Sequence, residues 1–86
     1  MNVDNLVNMA NRIGEFFSAY PDQVQAEHDI AEHLKKFWEP RMRRALLAHV
    51  DATGGTGIEP LVLAALHTHR ALLTPPRALP ASDSSL

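Results

Sequence analysis

The sequence predicts an all-α fold: a small bundle of three to four short helices over residues 1–73, followed by a disordered C-terminal tail over 74–86. Three observations predict it. Apolar residues recur three and four positions apart along successive segments, which lines them up on one face of a helix. Between those segments stand Pro21, Pro40 and a glycine cluster ending at Gly57, residues that interrupt helices or restart them. No stretch carries the period-two alternation of a strand, and no segment repeats another. At 86 residues the chain supports one domain at most, and so small a domain has a thin stability margin. Part of its stability is therefore expected to come from a partner.

The first helix is expected between Asp4 and Tyr20, where Leu6, Met9, Ala10, Ile13, Phe16, Phe17 and Tyr20 form the apolar stripe and Asp4 caps the first turn. Tyr20-Pro21-Asp22 ends it, because proline restrains the residue before it and suits the start of a helix. A second helix begins there and turns Val24, Ile30, Ala31, Leu34, Phe37 and Trp38 inward. The short join predicts an antiparallel hairpin. Pro40 lacks the N–H for the helical ladder and its ring crowds the preceding turn, so a break is expected near Trp38 and Glu39; one kinked helix over 22–50 is the alternative. A third helix follows from about Pro40 to Val50, with Met42, Ala45, Leu46 and either His49 or Val50 inward.

Residues 51–57, Asp-Ala-Thr-Gly-Gly-Thr-Gly, read as a flexible connection. Glu59-Pro60 then starts a fourth helix with a broad apolar face of Leu61, Val62, Ala65, Leu66, His69, Leu72 and Leu73. The remainder, TPPRALPASDSSL, holds three prolines and three serines with no periodicity, which is the composition of a disordered tail.

Composition narrows the chemistry. An apolar share of 45% and a charged share of 21% describe a chain that folds in water, and no apolar run is long enough to span a bilayer. Cysteine is absent, which removes disulfides, thiolate nucleophiles, cysteine zinc sites and the usual ligands of iron–sulfur clusters. Met1-Asn2-Val3-Asp4-Asn5 has neither a basic nor an apolar leader region, so a cytoplasmic location is expected. The net charge of −2 argues against a general nucleic-acid binder.

The five histidines do not converge on a metal. At about 100° per residue His67 and His69 point to nearly opposite sides of a helix, and His28 and His33 diverge by about 140°. His28 with Glu32, or Asp29 with His33, stands four apart, but two ligands are too few for a closed zinc site. Gly54-Gly55-Thr56-Gly57 before a helix suggests an anion nest, yet the Gly-Lys-Ser/Thr of a P-loop is missing, no strand precedes it, and Glu59 repels phosphate; a plain hinge is the expectation. No paired carboxylates or nucleophile–base motif stand out, so no catalytic, cofactor-binding or metal residue is assigned.

One stretch demands a different account. Five of the eight Lys and Arg residues, Lys35, Lys36, Arg41, Arg43 and Arg44, surround Phe37, Trp38 and Pro40, while Asp22, Glu27, Asp29 and Glu32 precede them. Trp38 as core with the cations in solvent is one reading. The other is an interface, since Trp and Arg are enriched at binding hot spots; on it Lys36, Phe37, Trp38, Arg41 and Arg44 are the candidate partner-docking residues. On a helix from Pro40, Arg41 and Arg44 share a face that Arg43 does not.

"NMANRIGEFF" over 8–17, Tyr20-Pro21, "KFWEPRMRRALLAH" over 36–49, the glycine-rich loop and "EPLVLAAL" over 59–66 resemble the delta subunit of cytoplasmic, NAD-dependent formate dehydrogenases, with the Phe-Trp-Glu-Pro-Arg-Met-Arg string the most specific part. The resemblance covers nearly the whole chain up to Leu73. It implies a non-catalytic accessory subunit of a molybdenum enzyme that oxidises formate to CO2 and reduces NAD+. It also implies alpha, beta and gamma partner subunits that carry the bis-molybdopterin guanine dinucleotide, the iron–sulfur clusters and the FMN. A free-standing helical module that binds an acidic protein or RNA is the alternative.

Overall fold

A computed structural model describes residues 2–76, which form five helices and, among the described residues, no strand. Helix α1 spans Val3–Phe17. Its cap is Asn2, whose Oδ1 accepts from the Asp4 N–H at 2.8 Å, so Asp4 is not the cap but a first-turn residue whose charge complements the helix N-terminus. Leu6, Val7, Ala10 and Gly14 are buried, and Met9, Ile13 and Phe17 pack at the edge of the core. Gly14 allows a close helix approach: a Cβ there would overlap Val62 Cγ2.

Helix α2 spans Gln23–Phe37 and is capped by Asp22, whose Oδ1 accepts from the N–H groups of Val24 and Gln25. Ala26, Ile30 and Leu34, continued by Trp38 just past the helix end, form an unbroken four-residue row facing the core. Two residues expected inside are exposed instead. Val24 lies about half a turn away from that row and is 75% exposed, and Phe37 is 70% exposed. Trp38 and Glu39 are extended and Pro40 takes the first position of α3, so two helices separated by a corner replace the alternative of one kinked helix.

Helix α3 runs Pro40–Thr53, three residues beyond Val50, and stops where Gly54 adopts φ 79° and donates its N–H to Val50 O. Arg43, Leu46, Leu47 and Val50 face inward; Val50 rather than His49 continues the stripe. The following loop is tied down rather than loose. Asn11 of α1 donates to Gly57 O at 2.9 Å and accepts from Glu59 N–H at 2.9 Å, and His49 Nε2 donates to Thr56 O at 2.7 Å. The hydroxyl of Thr53 accepts from the Gly55 and Thr56 N–H groups and Gly54 donates to Val50 O, so three of the four amides that an anion nest would offer there are already taken.

The expected fourth helix divides at His69, whose φ −111° and ψ 27° leave the helical region, into α4 (Pro60–Thr68) and α5 (Arg70–Leu73). Helix α2 packs most extensively on α4 and also against α5, while α1 crosses α2, α3 and α4. Ile30, Leu34, Leu46, Val62, Leu66 and Leu73 fill the centre. Pro75, assigned from sequence to the tail, is buried; residues 77–86 of that expected tail lie outside the described residues.

Candidate docking surface

The structure distributes the basic-aromatic string over three environments. Trp38 is 5% exposed and belongs to the core, where it ends the α2 row and turns the chain into α3. Its ring is therefore not available to a partner. Arg43 is also inside, at 6% exposure: its Nη1 donates to Leu73 O at 3.3 Å, and its Nε has no partner among the described residues. That contact places a cation at the carbonyl end of α5, the favourable end of the helix dipole. Arg41 and Arg44 are exposed on the other side of α3, as a rotation of about 160° between Arg41 and Arg43 requires.

Lys36 and Phe37 stay at the surface with α2. Lys36 Nζ lies 3.8 Å from Glu32 Oε1 one helical turn back, an exposed pair of small energetic weight. Phe37 stacks at a tilt on His33 with ring centroids 4.8 Å apart. With Phe17, Asp29 and Glu32, these residues line a shallow hollow of about 230 Å³. Arg44 lines a different one of about 190 Å³ beside Leu47, Asp51 and Arg70. Arg70 is held there by Asp51 Oδ2 at 2.7 Å, and that hydrogen bond and charge raise its already high pKa.

Sequence reasoning missed the remainder of the aromatic face. Phe16, 71% exposed, meets Phe17 edge to face at 4.9 Å; Phe17 meets Tyr20 at 5.3 Å and His33 at 6.4 Å; His33 meets Phe37. A chain of rings thus crosses from the end of α1 to the end of α2. The signal was present: adjacent Phe16 and Phe17 differ by about 100° on a helix, so both cannot sit on one narrow stripe. Since Phe17 continues the row of Ala10 and Ile13, Phe16 had to leave it.

His28 and His33 meet different neighbours: His28 approaches His69 across α2 and α4 with ring centroids 5.8 Å apart, while His33 lies against Phe17 and Phe37. His28 Nδ1 donates to Asp29 Oδ1 at 3.1 Å, which with a hydrogen bond from Gln25 holds the Asp29 carboxyl below its usual pKa despite some desolvation. Among the described residues no three His, Cys, Asp or Glu side chains converge as metal ligands. No described helix is long and apolar enough to cross a membrane.

What this arrangement offers is contact: rings and cations exposed at helix ends, held in place by a core that uses Trp38 and Arg43 as corner pieces. No curated protein and no solved structure matches the chain. The sequence profile of the family described as NADH-dependent formate dehydrogenase delta subunit FdsD matches residues 5–66, the span from α1 to within α4 that carries both the aromatic face and the basic corner. The chain belongs to that family of formate dehydrogenase delta subunits.

Proposed function

We propose that the chain is a non-catalytic subunit that docks on a larger subunit of a cytoplasmic formate dehydrogenase complex and supports its assembly or stability. In that complex formate and NAD+ become CO2 and NADH. The bis-molybdopterin guanine dinucleotide, iron–sulfur clusters and FMN reside in the alpha, beta and gamma subunits, in keeping with a chain that has no cysteine to ligate a cluster. The helical domain over 1–73 is the docking unit.

The observation that carries this reading is Phe37, 70% exposed at the end of α2 beside Lys36, with the exposed Arg41 and Arg44 just beyond the corner. A large ring held in water next to cations is the composition of an interface hot spot before its partner arrives. Lys36, Phe37, Arg41 and Arg44 make up the docking set, and Trp38 fixes their relative placement from inside.

The test reverses the charge of the arginine pair. In an interface, Arg41→Glu with Arg44→Glu sets carboxylates against the acidic partner and costs several kcal/mol, whereas exposed ion pairs are worth about 1 kcal/mol or less. The double variant is expected to keep its helical circular dichroism and to lose co-purification with the other formate dehydrogenase subunits. A helical variant recovered with the full set of subunits would leave the arginines as solvated surface.

A further inference from the structure

The face between α1 and α2 has a more specific chemistry than general stickiness. A groove of about 360 Å³ runs along it, lined by Arg12, Ile13, Phe16, Phe17 and His33. Apolar atoms make up nearly all of its wall, and no carboxylate is among those residues. Arg12 is exposed and forms no ion pair with a described residue. Phe16 stands 71% exposed at the rim, held upright by its edge-to-face contact with Phe17.

We infer that this groove seats an apolar side chain with an adjoining Asp or Glu from a larger formate dehydrogenase subunit, the carboxylate pairing with Arg12 while the apolar group packs against Phe16, Phe17 and Ile13. The inference rests on the docking function proposed above. The occupant follows from complementarity. An apolar wall takes an apolar anchor, and an unpaired guanidinium at its edge takes a planar anion that its fork can bind through two hydrogen bonds. A second copy of this chain fits less well, because a two-fold contact through the groove brings its own cations face to face. RNA fits less well too: stacking platforms for single strands are accompanied by a basic track along the backbone, and this chain carries a net charge of −2.

The experiment uses a tagged chain purified from its native cells in four forms: the parent, Phe16→Ala, Arg12→Glu and Arg12→Lys. Phe16 and Arg12 are both exposed, so all four are expected to share one melting temperature and one circular dichroism spectrum. Phe16→Ala and Arg12→Glu are each expected to lower the recovered formate dehydrogenase subunits about tenfold, as loss of a hot-spot contact does. Arg12→Lys keeps the charge but not the two-bond fork, so it is expected to recover less of them than the parent and more than Arg12→Glu, enough for cross-linking. Its new amine, treated with a carbodiimide in the assembled complex, should form an amide with an Asp or Glu of a larger subunit, in a peptide whose neighbouring residue is apolar. Full recovery with both Phe16→Ala and Arg12→Glu, or no such cross-link from Arg12→Lys, overturns the groove assignment and leaves the docking function standing. A parent chain that brings down no formate dehydrogenase subunit overturns both.

Discussion

Phe37 and Trp38 are neighbours with opposite roles, and their difference is measurable. Trp38 is buried against the core, so Trp38→Ala removes a large side chain and leaves a cavity, a loss of about 3–5 kcal/mol. Phe37 is 70% exposed and meets the His33 ring, so Phe37→Ala is expected to cost under about 1 kcal/mol. Thermal melts should separate them: a shift below about 8 °C for Phe37→Ala and a far larger one, or no cooperative transition, for Trp38→Ala. Equal shifts would contradict the burial assignment. Part of this contrast is in the sequence: Ala26, Ile30, Leu34 and Trp38 stand four apart throughout, while Phe37, three after Leu34, falls on the flank of that row at the last position of α2. Both aromatics were nonetheless expected inside, because a broad apolar stripe tolerates residues 100° apart and only packing decides how wide the stripe is. Arg43 was legible as facing away from Arg41. Its burial was not, since what makes room for a guanidinium is the carbonyl of Leu73, thirty residues on.

At the scale of elements, punctuation carried most of the information. Pro40 and Pro60 each occupy a first helical position, and Gly54 ends α3. The division between α4 and α5 had no such mark: apolar residues continue through Leu72 and Leu73, and the break at His69 is backbone geometry that periodicity does not register. The glycine loop differs from its expectation for a related reason. Its flexibility was inferred from composition, but the side chain of Asn11, forty-six residues before Gly57, clamps it at both Gly57 O and Glu59 N–H. Asn11→Ala is therefore expected to destabilise the fold by about 1–3 kcal/mol, the cost of two amide hydrogen bonds that lose their partner. Hydrogen exchange should then quicken at the Glu59 amide. An unchanged melting temperature and unchanged exchange there would show that the clamp contributes nothing.

Across the whole molecule, the arginine pair of α3 and the ring face of α1 and α2 stand on different elements, and association kinetics should tell their contributions apart. The chain is net acidic at −2, yet five of its eight Lys and Arg lie within residues 35–44. The ring face from Phe16 to Phe37 lies across α1 and α2, while Arg41 and Arg44 project from α3. If both faces meet the rest of the complex, they act on different rate constants. Exposed cations at the rim of an interface steer the encounter through a field that salt screens over about 8–10 Å, so they govern the association rate and its salt dependence. Buried aromatic contacts resist separation, so they govern the dissociation rate. With formate dehydrogenase prepared without this chain and immobilised, the parent's association rate is expected to fall steeply as salt rises, while its dissociation rate changes little. Arg41→Glu with Arg44→Glu should flatten that salt dependence, and Phe16→Ala should leave it intact but speed dissociation by about tenfold, the weight of a single hot-spot contact. A parent whose association ignores salt would remove the electrostatic role from the basic corner, because steering of this kind has no way to persist once the field is screened.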